Sequence, residues 1–379
     1  MYQELELYIH IPFCVKKCAY CDFLSGPADH EHKRKYLDAL LKEIQSYKKN
    51  QQISDYIVTS IFFGGGTPSI FPGEWICQIM DAVRETFTLT ADAEITIEAN
   101  PGTVDEEKLN LYKEAGINRI SFGCQSADNE ELKRLGRIHT WEAFLDSYAM
   151  ARTYGFDNIN VDLMSGLPGQ TVSSWEETLK KVIRLEPEHI SAYSLIVEEG
   201  TPFYEMADKL NLPDEDAERT MYERTGEMLK KHGYEQYEIS NYAKDGYACQ
   251  HNIGYWTGRA YLGLGLGASS LFEEKRFSNT DDMTEYLEQS HQIETLRRDI
   301  MMLTKENQME EYMILGLRMN QGVSEAEFEK RFKISIDTVY GEILNKYEQS
   351  GHLQRKQGRV SFTRKGISVS NPILAELLL

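Results

Sequence analysis

Along residues 1–240, apolar positions switch repeatedly between two periods. A short apolar run at residues 5–11 gives way to an amphipathic stretch at about 32–49. The same alternation recurs: 57–63 then 74–86, 94–98 then 105–115, with Gly116 as a stop. Residues 119–122 lead into helix-like segments ending near Tyr154, 158–163 into 172–185, and 189–195 into 214–231. A last strand is predicted at 234–239. Brief β-rich runs followed by 3.6-period stretches predict strand–helix units. Their short connections imply a parallel sheet with helices outside, hence an α/β fold. Such units curl into a full or partial (β/α) barrel, with a doubly wound open sheet as the alternative.

Beyond this expected barrel core the pattern changes twice. Residues 241–304 are rich in glycine and aromatics and hold the run Gly263-Leu264-Gly265-Leu266-Gly267, so they read as a connecting region. Residues 305–379 show three helix-like segments, at about 307–319, 324–332 and 335–349. A hairpin follows, at 353–355 and 359–362, turned at Gln357-Gly358. That order predicts a winged-helix-like C-terminal domain.

Charge narrows the function classes. The 379 residues carry a formal charge of −19, which opposes binding to nucleic acid or to an anionic lipid surface. The winged-helix-like segment alone is nearly balanced, with 11 Lys or Arg against 10 Asp or Glu. Packing on the barrel or on a partner protein is the favoured role for it, and nucleic acid is disfavoured. No apolar run approaches the roughly 18–20 residues of a membrane span. The N-terminal residues lack the basic and apolar pattern of a secretory signal, so the expected location is cytoplasmic.

Three of the six cysteines, Cys14, Cys18 and Cys21, form C-x3-C-x2-C directly after the first expected strand. In a reducing compartment such a cluster suggests a metal site. Three thiolates can hold three irons of a four-iron cluster and leave the fourth open. Zinc completed by a distant histidine, or buried structural thiols, are the alternatives. Gly64-Gly65-Gly66-Thr67-Pro68 follows the second strand, where a barrel carries its chemistry, and glycines there admit close backbone approach. Cys77 and Cys124 read as packing residues.

These motifs resemble the radical S-adenosylmethionine superfamily. More narrowly, several segments are similar to the oxygen-independent coproporphyrinogen III oxidase family. They are His10-Ile11-Pro12-Phe13-Cys14, Glu98-Ala99-Asn100-Pro101, Ser121-Phe122-Gly123-Cys124-Gln125-Ser126, Arg134-Leu135-Gly136-Arg137 and Asp162-Leu163-Met164-Ser165-Gly166-Leu167-Pro168. The resemblance implies that Cys14, Cys18 and Cys21 ligate a [4Fe–4S] cluster. It implies S-adenosylmethionine contacts at Tyr8, Tyr20, Gly65, Gly66, Thr67, Glu98, Gln125, Arg137 and Asp162. It also implies one-electron cleavage of S-adenosylmethionine, with a flavodoxin or ferredoxin as a suitable electron donor.

Two departures separate the chain from the oxidases. Phe23 stands where their pattern has a fourth cysteine, and the first strand begins at about Leu5, without their N-terminal extension. Both features, with His251-Asn252-Ile253-Gly254-Tyr255-Trp256, resemble the HemW branch of haem chaperones. That resemblance implies haem as cargo, a haem-accepting target protein and transient membrane association through a partner. It implies His251 as haem ligand, with Cys249 as a second candidate; a buried aromatic cluster around a hydrogen-bonded histidine is the plainer reading. The alternative function is radical oxidative decarboxylation in porphyrin biosynthesis by a coproporphyrinogen dehydrogenase-like oxidoreductase.

Overall fold

The computed structural model describes residues 2–379. Its main feature is a 12-stranded sheet that curls into a partial (β/α) barrel. The first six strands are β1 (Gln3–Ile11), β2 (Tyr56–Gly65), β3 (Leu89–Ala99), β4 (Arg119–Gln125), β5 (Ile159–Ser165) and β6 (His189–Ser194). Each pairs parallel with the next, and helices cross over between them. The strands read as two-sided. On β1, Leu5, Leu7, Ile9 and Ile11 are fully buried in the layer shared with the helices. Burial of each contributes about 1.5–3 kcal/mol. Glu6, Tyr8 and His10 take the alternate positions and line the lumen, as period-2 geometry requires. The equivalent inward residues on the other strands, among them Ser60, Glu98, Ser121, Asn160 and Asp162, are also polar. This barrel is therefore lined, not filled with aliphatic layers.

The last predicted strand differs from expectation. Residues 235–243 form β7 (Glu235–Gln236) and β8 (Asn241–Ala243), and β8 inserts antiparallel between β6 and β7. No crossover separates β7 from β8, and a short connection permits only antiparallel pairing. Residues 241–304 continue the same sheet on its other side. There β9 (Ala260–Leu264) pairs parallel with β1, and β10 (Ser269–Phe272), β11 (Lys275–Asn279) and β12 (Arg297–Met302) follow as an antiparallel meander. The glycine run is explained by contact: Gly265 has φ +106°, and a Cβ there would lie 2.8 Å from the His10 carbonyl oxygen. Buried Glu43 pins this loop, accepting from Gly265 N (2.8 Å), Asn279 Nδ2 (2.7 Å) and Tyr286 Oη (2.6 Å).

The C-terminal region has helices Lys305–Gly316, Glu325–Phe332 and Ile336–Gln349. A small antiparallel sheet joins β13 (Val323–Ser324), β14 (Leu353–Lys356) and β15 (Arg359–Phe362). Met313, Phe328, Tyr340, Leu344 and Val360 belong to its own core. Among the described residues no helix is long and apolar enough to cross a membrane.

Candidate functional site

The loops at the C-terminal ends of β1–β4 are tied into one rim. The cysteine loop closes on itself through Cys14 N to Gly26 O (3.0 Å) and Gly26 N to Pro12 O (3.1 Å). The glycine loop is fastened to it by Gly66 N to Ile11 O (2.9 Å) and Thr67 N to Phe13 O (2.8 Å). These contacts leave no room for side chains. A Cβ at Gly66 would sit 2.5 Å from the Phe13 carbonyl oxygen, and one at Gly65 (φ +110°) 2.5 Å from the His10 ring. The triplet is thus required by its fit against β1, whatever else approaches it.

A polar chain then links two of the three thiols. Cys14 Sγ lies 3.5 Å from Thr67 Oγ1, which accepts from Asn100 Nδ2 at 2.8 Å. Arg137 donates through Nη2 to Asn100 Oδ1 (2.6 Å) and Gly123 O (2.5 Å), and through Nη1 to Cys18 Sγ (3.7 Å). Four successive strand-end loops therefore contribute to one network. Gly123 makes the crowding possible, since a Cβ there would meet Arg137, Asn100 and Gln125 at 3.1–3.2 Å. The register of β4 against β5 shifts between Gly123 and Gln125, and Gln125 has φ +68°. Such a bulge re-aims a side chain; here Gln125 Oε1 accepts from Tyr193 Oη at 3.0 Å. Asn100, Gly123 and Tyr193 were not singled out by sequence reasoning, although Asn100 and Gly123 lie inside the motifs quoted above.

Deeper in the lumen, Glu98 and Asp162 retain accessible surface although protein surrounds them, so open space faces both. Burial pushes the Glu98 carboxyl up to about 8, and the nearby Asp162 adds to the shift. Burial likewise raises Asp162, against hydrogen bonds from Asn160 Nδ2 (2.7 Å) and Ser121 Oγ (3.1 Å). Tyr8, whose Oη is 3.0 Å from His10 Nδ1, and Tyr20, beside Arg137 and the thiols, are both held as neutral phenols by burial. Burial also raises the Cys21 thiol. The structure thus gathers Cys14, Cys18, Cys21, Tyr8, Tyr20, Gly65, Gly66, Thr67, Glu98, Gln125, Arg137 and Asp162 at one end of the barrel.

It does not bring His251 and Cys249 there. Both precede or open the helix Gln250–Thr257, which packs against β2 near Ser60. In register, Ser60 pairs with Glu6, five residues before the end of β1, or about 16 Å down the strand. His251 is 1% exposed and has both ring nitrogens engaged, by Ser60 Oγ (2.9 Å) and Tyr255 Oη (3.0 Å). Burial, with Arg119 and Arg259 nearby, lowers its pKa to about 3. Cys249 is 1% exposed, with Sγ 3.3 Å from Glu94 Oε1. In this arrangement both His251 ring nitrogens and the Cys249 thiol are engaged by protein groups and sealed from solvent.

The donor set at the mouth suits a multi-iron cluster. The three thiols are partly exposed, and two receive contacts from a hydroxyl and a guanidinium of the kind that stabilise bound thiolates.

Comparison with known proteins agrees. The chain is 37% identical to a Bacillus subtilis protein named "Heme chaperone HemW", over 98% of both chains. It belongs to the HemW family. The Lactococcus lactis protein of the same name is 35% identical over 98% of this chain and 97% of its own. The Escherichia coli one is 43% identical over 70% and 69%. The radical SAM superfamily model matches residues 8–182, and a HemN C-terminal domain model matches 303–369. Membership of the superfamily implies a [4Fe–4S] cluster and S-adenosylmethionine. The solved coproporphyrinogen III oxidase HemN of Escherichia coli shares the fold, with a TM-score of 0.85 at 24% identity, over 100% of this chain and 90% of that one.

Proposed function

We propose that this protein is a haem chaperone that binds haem and passes it to a target protein, with a [4Fe–4S] cluster and S-adenosylmethionine at the barrel mouth. The observation that carries the reading is the full-length similarity to relatives named as haem chaperones. Phe23 adds support: it is 62% exposed at the position where the oxidase pattern has a further cysteine. Val15, Leu24, Ile138 and Ile196 are also exposed on loops at this end, which suits an apolar cargo or partner.

In this reading Cys14, Cys18 and Cys21 ligate the cluster, which when bound supplies one electron for cleavage of the sulfonium. Thr67 and Arg137 hold two of the ligating sulfurs. Tyr8, Tyr20, Gly65, Gly66, Gln125 and Asp162 line the space for S-adenosylmethionine. Glu98, protonated below about pH 8, can donate one hydrogen bond into that space. A flavodoxin- or ferredoxin-type donor and a haem-accepting protein complete the set of partners. His251 and Cys249 close the far end of the lumen.

The competing reading is the porphyrinogen decarboxylase, favoured by the convergence of Glu98, Gln125, Arg137 and Asp162. An anaerobic experiment separates the two. The reconstituted protein is given S-adenosylmethionine and reductant, then either coproporphyrinogen III or ferric haem. Stoichiometric haem binding without decarboxylation is expected. Robust formation of decarboxylated product would overturn the chaperone reading.

A further inference from the structure

β5 and β6 pair with Asn160 opposite His189 and Asp162 opposite Ser191, which puts all four side chains on the lumen face. Asn160 and His189 are sealed from solvent. Asn160 uses its whole hydrogen-bonding capacity. Its Nδ2 donates to Asp162 Oδ1 (2.7 Å) and Ser121 Oγ (2.7 Å), and its Oδ1 accepts from His189 Nδ1 (2.6 Å) and Ser191 Oγ (3.1 Å). An amide oxygen can only accept, so the proton of His189 sits on Nδ1. Burial, with Arg119 nearby, keeps this imidazole neutral. Nε2 is therefore an acceptor, and Tyr237 Oη donates to it at 2.8 Å. Every bond in the chain Tyr237–His189–Asn160–Asp162 thus points the same way, toward the carboxylate. Ser121 Oγ, having accepted from Asn160, donates to the other oxygen, Asp162 Oδ2 (3.1 Å). Tyr237 is in turn held from the C-terminal region, its carbonyl accepting from Asn320 N at 3.0 Å.

We propose that His189 is a positioning residue for S-adenosylmethionine, fixing Asp162 through Asn160 as a hydrogen-bond acceptor; the proposal rests on the reading of Asp162 as a contact to that cofactor. Asp162 receives one protein donor on each oxygen and turns its remaining acceptor capacity to open space. It therefore takes an N–H or O–H group of a ligand. Glu98, protonated below about pH 8, offers the opposite sense. Two buried carboxyls, one donating and one accepting, match a ligand with both kinds of group in one orientation. His189 matters because the hydroxyls of Ser121 and Ser191 can donate or accept, so neither fixes which way the Asn160 amide faces. The imidazole N–H on the amide oxygen does. Without it the amide is free to turn its oxygen toward Asp162 and repel it. A network matched throughout is preorganised, and that lowers the cost of binding.

The test is S-adenosylmethionine binding to the anaerobically reconstituted full chain, measured by calorimetry. His189→Leu removes both ring nitrogens and should weaken binding about tenfold. His189→Asn keeps an N–H donor at the place of Nδ1 and should recover affinity to within about threefold of wild type. Asp162→Ala should weaken binding by itself. In that background His189→Leu should change affinity by less than about twofold, because His189 acts through Asp162. A role in packing alone would cost the same in both backgrounds, and that result, or wild-type affinity in His189→Leu, would overturn the positioning role and leave the cofactor reading standing. Tyr237→Phe keeps the ring and the strand contacts and should weaken binding about threefold. Where His189→Leu does not fold, unchanged affinity in Tyr237→Phe would overturn the positioning role. Failure of the wild-type protein to bind S-adenosylmethionine would overturn the cofactor reading itself.

Discussion

The two ends of the barrel lumen are built from similar residues and treated oppositely. At the C-terminal mouth, Glu98 and Asp162 face open space, the thiols are partly exposed, and Arg137 Nε has no partner. At the other end, His251, Cys249, Glu94 and Ser60 bond to one another or to the helix Gln250–Thr257. Phe62 stands between the ends, its ring 6.4 Å from Tyr8 and 5.2 Å from His251. Buried polar groups occur at both, so polarity alone does not mark a site. What marks it is access: the groups at the mouth keep exposed surface, whereas at the other end even the unpartnered Glu6 Oε2 is sealed.

The largest expected effect breaks the open end. Cys14→Ser, Cys18→Ser or Cys21→Ser should each abolish the iron–sulfur chromophore after reconstitution, with circular dichroism unchanged, because the thiols are not core groups. Loss of fold in these variants would mean that they support structure instead. At the closed end, His251→Ala should cost about 3 kcal/mol in denaturant unfolding, since it leaves Ser60 and Tyr255 unpaired in a sealed space. A stability loss below about 1 kcal/mol would show that this end is looser than drawn. Arg137→Gln sharpens the contrast: it should weaken S-adenosylmethionine binding, measured by calorimetry, with a smaller stability loss than His251→Ala.

The smallest effect concerns pH and the loop pin at Glu43. Burial raises its carboxyl from 4.5 to about 7. The native state therefore holds more protons than the unfolded state between those values, and this residue's contribution to stability falls as pH rises through that window. Glu43→Gln should flatten the dependence of unfolding free energy on pH from about 4.5 to 7. An identical slope in the variant would show that the group is ionised throughout.

Much of this was legible in the sequence because local period encodes local structure. The strand–helix alternation gave the parallel core, and C-x3-C-x2-C with the glycine triplet located the mouth. Polar residues at alternate positions of β1, at Glu6, Tyr8 and His10, were the available sign of a lined lumen. The pairing of β9 with β1 was not legible, since it joins Leu5 to Ala260 and no local pattern encodes so distant a register. The β8 insertion was hidden for a similar reason. The surroundings of His251 were not legible in the sequence, because they are set by Ser60 and Tyr255, and only the fold shows both ring nitrogens hydrogen-bonded. Asn100 and Gly123 needed the rim geometry before their parts in it appeared.

The most direct test of an open, three-thiolate end is the EPR spectrum of the reduced, reconstituted protein with and without S-adenosylmethionine. A clear change in g values on addition is expected, because one iron lacks a protein ligand. An unchanged spectrum at saturating S-adenosylmethionine would contradict the assignment of this end as the cofactor site.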